Sequence, residues 1–252
     1  MKKIIVGNWK MNPEDSSRAK KLFTRIKRRA GTLRRARVVV CAPSLYIEAL
    51  AKLASGNAQV GAQDGFYEKE GAFTGRVSLS MVRRTGASHV IIGHSEMRAA
   101  GDTNDIVSKK VRRALEERLF VILCVGEESR DGEGNYLSIL SSQINESLQR
   151  VPKQYFKNII VAYEPVWAIG AKAKSASTPS DFFEKSIFIR KTLSHIVGKD
   201  VAMKVPVLYG GSADERNAGG FLKEGKADGL LVGRASLDAE SFIEILSLAE
   251  KV

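Results

Sequence analysis

The feature that most constrains the fold is an alternation repeated eight times: a short apolar run, a polar turn, then a stretch with helical periodicity. The apolar runs are KIIVGN (3–8), RVVVCA (37–42), AQVGAQ (58–63), HVIIGH (89–94), FVILCVG (120–126), IIVAYE (159–164), VPVLYG (205–210) and DGLLVG (228–233). Each is apolar on both alternating faces, which is typical of parallel strands covered by helices. The amphipathic stretches between them include Glu14–Ala30, Asp102–Arg118, Tyr136–Val151 and Pro179–Val197.

Eight strand–helix units in 252 residues predict an α/β protein whose eight parallel strands close into a (β/α)8 barrel surrounded by helices. An open, doubly wound sheet is the rival. Such sheets usually carry a G-x-G-x-x-G turn after the first strand, and here that strand continues as GNWKMN. The barrel is therefore favoured, with residues 1–252 as a single domain.

Composition narrows the setting of the protein. No apolar run is long enough to cross a bilayer, and the three apolar residues after the first lysines are too few for a cleavable signal. We therefore expect a cytoplasmic protein without membrane contacts. Cys41 and Cys124 each lie inside an apolar run, so we expect buried thiols and no disulfide or metal pair.

The net charge of +12 is unevenly distributed, because Arg18–Arg37 contains many basic residues and no acidic one. A solvated helix face is the interpretation we favour. A nucleic-acid patch is the second, although Phe23 is the only aromatic residue in the segment that could stack on a base. The third is a positive field that attracts anionic substrates.

Polar and ionisable residues that could act in catalysis or binding lie where the predicted strands end. In a barrel of this kind these ends meet at one face, and that face carries the function. The polar residues there are Asn8, Lys10, Gln63, His94, Glu96 and Glu164. The last two strands end in the glycine turns Gly210-Gly211-Ser212 and Gly233-Arg234. Glycine lets backbone N–H groups approach an anion, so these turns favour a phosphate site.

Each of these residues also has a purely structural interpretation. Lys10 could extend from a buried strand to solvent. His94 could be a core histidine, or part of a turn in which Ser95 caps the next helix. Glu164 could pair with an arginine, and the double glycines could be ordinary turns. Their joint placement at one barrel mouth favours a functional site.

Seven segments identify a resemblance over essentially the whole chain. They are GNWKMN, GAQ with GAFTG, GHSE, CVGE, YEPVWAIG, YGGS, and DGLLVG with ASL. In this order they resemble the triosephosphate isomerase family, whose fold is the TIM barrel. The resemblance implies an enzyme of glycolysis and gluconeogenesis, an aldose–ketose isomerase of dihydroxyacetone phosphate and glyceraldehyde 3-phosphate that acts through an enediolate.

The resemblance also assigns roles to particular residues. Glu164 matches the general base, His94 the neutral electrophile and Lys10 the active-site cation. Asn8 matches an amide that contacts substrate, and Glu96 a second carboxylate near the lysine. Phosphate-binding positions are matched by Gly170, Ser212 and Gly233, and Arg234 is an added candidate beside them. No cofactor and no metal is implied.

The resemblance further implies a mobile lid over the site, from Val166 to about Ala176. Closing lids exclude water from reactive intermediates, and this family is a well-known example. Here the lid reads AIGAKAKSAS instead of AIGTGKTA, about two residues longer and without its second glycine. The hinge then corresponds to Lys174–Ala176. We expect a working lid with altered opening kinetics.

Two further departures from the family pattern carry expectations. Arg234 stands where the family has a second glycine, and a positive φ there would be strained. The family forms homodimers through the GAFTG loop, Gly71–Gly75, with Thr74 at its tip. Arg76 replaces an acid and Met97 an arginine, so both partners of an intersubunit ion pair have changed. We still expect a homodimer.

Other functions remain as alternatives. A sugar-phosphate epimerase barrel would bring metal ligands and acid–base aspartates at strand ends, which are not evident in the sequence. A catalytically impaired barrel that binds phosphate or nucleic acid is the alternative from another class. The presence of Lys10, His94 and Glu164 together favours the isomerase, because binding alone needs no base opposite an electrophile.

Overall fold

The computed structural model of the protein describes residues 2–168 and 177–252. Its eight strands are β1 (Lys3–Asn8), β2 (Ala36–Ala42), β3 (Ala58–Ala62), β4 (His89–Ile92), β5 (Phe120–Val125), β6 (Ile159–Tyr163), β7 (Val207–Tyr209) and β8 (Gly229–Val232). All pair in parallel in sequence order, and β1 pairs with β8 to close the barrel. The predicted (β/α)8 TIM barrel is confirmed, and each strand overlaps the run that predicted it.

Ten α-helices surround the barrel in the described part of the chain. They are α1 (Ser16–Ala30), α2 (Ser44–Ala51), α3 (Leu79–Arg84), α4 (Ser95–Ala99), α5 (Asn104–Glu116), α6 (Tyr136–Leu148), α7 (Pro179–Val197), α8 (Lys199–Ala202), α9 (Ala218–Lys223) and α10 (Ala239–Lys251). Helix α7 has the predicted bounds. None of these helices has the length and apolar character needed to cross a membrane.

Helix α1 illustrates how the sequence sets these elements. Asp15 caps its start by accepting a hydrogen bond from the Arg18 backbone N–H (2.8 Å). The buried residues Ala19, Phe23, Ile26 and Ala30 recur at helical spacing and face the barrel. The cations of its last turn complement the negative end of the helix dipole.

The core has two layers because strand residues alternate between the barrel interior and the helices. The interior cluster is Ile4, Val6, Val39, Cys41, Ile91, Ile122, Cys124, Ile160, Ala162, Leu208 and Leu231. The larger outer cluster packs the other strand faces against the helices. Both cysteines are buried free thiols, as predicted. A filled interior leaves the loops at the carboxyl ends of the strands as the place for a site.

A buried histidine lies at the start of β4, away from that face. The His89 ring stacks on Phe120, with 4.9 Å between ring centroids, and its Nδ1 lies 2.8 Å from the Ser88 hydroxyl. Its Nε2 is buried and has no hydrogen-bond partner among the described residues. Burial, and then the nearby charge of Arg37, lowers the pKa of His89 to about 3.

This histidine predicts a loss of stability in acid. The unfolded chain binds a proton at His89 near pH ~6.5, whereas the folded chain does so only near its lower pKa. Below pH ~6.5, His89 should therefore lower the free energy of unfolding by up to ~1.4 kcal/mol for each pH unit. This decrease should level off as the pH approaches the pKa of His89 in the folded chain. His89→Phe should flatten this dependence in urea unfolding at pH 7, 6 and 5. His195→Gln, which removes an exposed histidine, should keep the wild-type dependence; equal slopes in wild type and His89→Phe would contradict the prediction.

Candidate active site

A carboxylate and an imidazole meet at the carboxyl face of the barrel. Glu164 follows β6, His94 follows β4, and both side chains are buried. Glu164 Oε1 lies 3.2 Å from His94 Nε2, and Glu164 Oε2 accepts a hydrogen bond from the Ser95 backbone N–H (3.0 Å). The two groups that the resemblance pairs as base and electrophile are thus in contact, although they are 70 positions apart in the sequence.

The His94 ring is oriented by the start of α4. His94, rather than Ser95, is the N-cap: its Nδ1 accepts a hydrogen bond from the Glu96 backbone N–H (3.2 Å). A backbone N–H can only donate, so Nδ1 carries a lone pair and the ring proton lies on Nε2. The side chain therefore presents an Nε2–H donor to the site, as a neutral imidazole.

Lys10 is held in an uncommon backbone conformation. Its φ is +51°, in the left-handed region that non-glycine residues rarely adopt. The Asn8 side-chain oxygen accepts a hydrogen bond from the Lys10 backbone N–H (3.1 Å), and Gln63 donates to the Lys10 carbonyl (2.7 Å). The Lys10 ammonium forms an ion pair with Glu96 (2.5 Å). Asn8 and Gln63 thus fix the backbone from which the cation extends.

The Glu164 side chain fits closely between its neighbours. A Cβ added at Gly210 would lie 3.0 Å from Glu164 Cγ, so a larger residue at this turn would press on the carboxylate side chain. The buried Cys124 thiol also lies beside the carboxylate. Burial, and then the charge of Glu164, raises the pKa of Cys124 well above its ordinary value. The thiol therefore stays protonated and cannot compete with Glu164 as a base.

The expected phosphate-binding positions are described only in part. The Ser212 hydroxyl donates to the carbonyl of Ala168 (3.0 Å), at the edge of the lid segment. A Cβ added at Gly233 would come within 3.8 Å of Lys10 Cε, which places this turn beside the cation. Gly170 and the expected hinge 174–176 lie outside the described residues, as does most of the expected lid.

Arg234 does not have the strained positive φ that was considered for this position. It begins a short 3-10 turn, Arg234–Leu237, and it is absent from the residues with positive φ. Its side chain is exposed and makes no hydrogen bond or ion pair within residues 2–168 and 177–252. The substitution is thus tolerated by the backbone and adds a solvated cation next to Gly233.

A buried glutamate, Glu127, accepts three hydrogen bonds near the start of the expected lid. Glu127 Oε1 accepts hydrogen bonds from the Tyr163 hydroxyl (2.7 Å), the Trp167 indole (2.9 Å) and Arg130 (2.9 Å). Arg130 also pairs with Asp181 at the first turn of α7 (2.9 Å). Burial, and then the charge of Glu127, raises the pKa of Tyr163, so its hydroxyl remains a donor. The cluster links β6, the entry of the lid and the helix that follows it.

The structure brings together most of the residues that the sequence singles out as candidates, with supporting contacts that the sequence does not predict. Asn8, Lys10, His94, Glu96 and Glu164 lie together at the barrel mouth. The sequence places Gln63 at a strand end without indicating its role, and it gives no sign that Glu127, Arg130 or Cys124 supports the site. Glu127 follows β5 as Glu164 follows β6, and its segment CVGE is one of the matching motifs. Applying the strand-end rule to β5 would have found it.

The fold and this geometry define a class: an α/β-barrel enzyme with a buried carboxylate, an imidazole and an ammonium group at its carboxyl face. The family model of triosephosphate isomerase matches residues 3–249. The chain is 44% identical over 247 residues to the triosephosphate isomerase of Moorella thermoacetica, covering 97% of each chain. It is 41% identical over 245 residues to that of Ruthia magnifica, covering 96% of this chain and 97% of the relative. The chain belongs to the triosephosphate isomerase family.

Proposed function

We propose that the protein interconverts dihydroxyacetone phosphate and glyceraldehyde 3-phosphate, as a cytoplasmic enzyme of glycolysis and gluconeogenesis. We treat residues 1–252 as one catalytic barrel. The observation that carries the proposal is the buried Glu164 carboxylate in contact with His94, with the Lys10 cation on the same face. A base, a donor and a cation are what proton transfer next to a carbonyl needs.

The first step is proton removal from carbon. The Glu164 carboxylate takes a proton from C1 of dihydroxyacetone phosphate, the C–H electrons form the C1–C2 double bond, and the carbonyl electrons move to O2. The neutral His94 Nε2–H donates to that oxygen as charge develops on it. Returning the proton from Glu164 to C2, with transfer of the hydroxyl proton from O1 to O2, gives glyceraldehyde 3-phosphate. Atoms and electrons balance without a cofactor.

The intermediate needs charge stabilisation more than it needs a strong base. Prearranged donors aimed at developing charge are usually the largest contribution to such a step. Lys10 supplies a full positive charge from a backbone that Asn8 and Gln63 hold fixed. Substrate bound between Glu164 and His94 would separate the two side chains. It would then contact the Glu164 carboxylate and the His94 ring N–H in place of their contact with each other. Glu96, paired with Lys10, sets the position of that cation.

The remaining contacts concern the phosphate. We assign it to the turns after β7 and β8, at Ser212 and Gly233, with Gly170 on the lid and Arg234 as an outer cation. The Gly233 turn lies beside Lys10, and the Ser212 hydroxyl lies next to Ala168, where the expected lid begins; both support this assignment. Closure of the lid would exclude water from the enediolate. The Glu127 cluster at the lid entry supports a defined starting position for that closure.

The test is isomerisation of glyceraldehyde 3-phosphate by the full chain in deuterated water. We expect rapid conversion, with solvent deuterium at C1 of the dihydroxyacetone phosphate formed, because Glu164 exchanges its proton with solvent before returning it. A folded chain that does not convert the substrate would contradict the proposal. Binding of inorganic phosphate by such an inactive chain would then support the alternative, an impaired phosphate-binding barrel.

We also propose that the protein is a homodimer built through the Gly71–Gly75 loop. Large exposed apolar side chains follow β1, β2 and β3 on one side of the barrel: Met11, Leu45, Phe73, Val77 and Met81. Arg76 lies over the Phe66 ring of its own chain (5.5 Å). Apolar contact, rather than the ion pair lost with Arg76 and Met97, then stabilises the pair of subunits.

Light scattering at micromolar concentration should give twice the chain mass of 27.6 kDa. Phe73→Asp should shift the protein to monomer, since it places a charge in the apolar contact. Ile139→Asp is the matched control: Ile139 is similarly exposed but lies on α6, and this variant should remain dimeric. A wild-type monomer would contradict the proposal.

A further inference from the structure

A group of exposed basic side chains lies at the end of the barrel opposite the active site. We define the basic end as Lys2, Arg28, Arg34, Arg35 and Lys251, all exposed. Helices α1 and α10 run from the carboxyl face back to the amino face, so their last turns lie where β1 and β2 begin. The Lys3 backbone N–H donates to the Arg35 carbonyl (2.7 Å), which joins the segment before β2 to the start of β1.

The Glu250 carboxylate fixes the backbone of Arg34 and Arg35 at the centre of the basic end. Glu250 accepts hydrogen bonds from the backbone N–H groups of Arg34 (2.8 Å) and Arg35 (2.9 Å). Burial would raise the pKa of Glu250, but these hydrogen bonds outweigh it and lower the pKa. Within the described residues, the guanidinium groups of Arg34 and Arg35 have no hydrogen bond or ion pair. The loop is thus fixed while both cations remain available.

Two ordinary explanations do not account for the surface. Complementing the dipole of α1 explains cations in its last turn, including Arg28, but Arg34 and Arg35 lie beyond the helix and Lys2 precedes a strand. Steering of the anionic substrate fails on distance: β1 alone separates the ends by about 17 Å, at about 3.3 Å per residue. That is about two Debye lengths at physiological salt, so the field of these exposed charges is screened at the active site.

We propose that the basic end binds the phosphate backbone of double-stranded nucleic acid, independently of sequence. Charge complementarity carries the proposal. Arg34 and Arg35, on a backbone held by Glu250, present two unpaired cations to a polymer with one negative charge per ~1.7 Å. Single-strand stacking is disfavoured because Phe23, the one aromatic residue of the basic segment, is fully buried. An anionic bilayer is disfavoured as the partner. Among the described residues next to the basic end, Val252 is the only large apolar side chain that is exposed.

The test is the salt dependence of binding to a fluorescein-labelled 25-base-pair duplex, followed by anisotropy. The wild-type chain should bind at 50 mM salt and weaken steeply as salt rises. Arg34→Gln/Arg35→Gln keeps both backbone N–H groups for Glu250 while removing two cations. It should weaken binding at least ~10-fold at 50 mM salt and reduce the slope of log K against log salt by about 2. Isomerase activity should be unchanged, which verifies the fold.

The control is Lys20→Gln/Lys21→Gln, which removes the same charge from the first half of α1. These lysines are exposed and lie nearer the carboxyl face, so this variant should bind within ~2-fold of wild type. Equal losses in both double variants would overturn the proposal, because binding would then follow net charge alone. No duplex binding at 50 mM salt would overturn it too, as would tighter binding to phosphatidylserine vesicles or to single strands than to duplex.

Discussion

Glu164→Gln is expected to lower kcat/KM for glyceraldehyde 3-phosphate by about 10³-fold or more, while the protein stays folded. The amide has nearly the shape of the carboxylate and can still accept from the Ser95 N–H. It cannot remove a proton from carbon. A positioned base contributes a factor of ~10²–10⁴, so a 10³-fold loss corresponds to about 4 kcal/mol of transition-state stabilisation.

Stopped assays of product, together with deuterium exchange into the recovered substrate, measure this loss. Exchange should fall in parallel with turnover, because both begin with the same proton removal. Glu128→Gln makes the same chemical change at an exposed glutamate one strand away and should retain full activity. A Glu164→Gln enzyme that still exchanges rapidly would mean that another group is the base.

Much of the fold was predictable because the barrel is specified locally. Each strand is an apolar run bounded by polar or glycine residues, and each long helix has an apolar face at helical spacing. The amphipathic stretch Pro179–Val197 matches α7, whose start has Thr178 as its cap and Pro179 in the first turn, both of them local signals. Parallel strands place all their carboxyl ends at one face, so the order of elements alone brought Lys10, His94 and Glu164 together.

The supports of the site were less predictable because they depend on barrel register. Gln63 donates a hydrogen bond to the carbonyl of Lys10, which lies 53 positions away in the sequence. Glu127 gathers donors from three segments, including Trp167, 40 positions away. Nothing in the local sequence of either residue distinguishes a partnered side chain from a solvated one. The strain at Lys10 is equally invisible, because a lysine with positive φ has no sequence signature.

The same limit applies to the charges of α5. Lys109 and Lys110 are adjacent in sequence, yet their side chains are 51% and 1% exposed. Helical geometry turns successive residues by about 100°, so one lysine faces solvent and pairs with Asp105 within the helix. The other faces the barrel, where Asp64 after β3 and Asp102 before α5 meet its ammonium at 2.8 and 2.6 Å. Only the tertiary packing shows which lysine matters for stability.

Lys110→Met is therefore expected to destabilise the protein by about 3 kcal/mol or more, because it leaves two carboxylates without their buried cation. Burial already raises the pKa of Asp64 despite the opposing effect of Lys110, and losing the cation should raise it further. Protonation would then relieve the variant in acid. In urea unfolding, the deficit relative to wild type should be largest at pH 7 and smaller at pH 4.5.

Lys109→Met is the matched control for this change. It removes the same charge one residue away, from an exposed ion pair with Asp105 that solvent screens, and should leave the free energy of unfolding nearly unchanged. If both variants lose equal stability, the buried ammonium contributes no more than a surface charge. If the Lys110→Met deficit does not shrink in acid, lost packing rather than unpaired carboxylates is its cause. The two lysines thus separate the effect of burial from that of charge, in a helix that bridges two loops at the catalytic face.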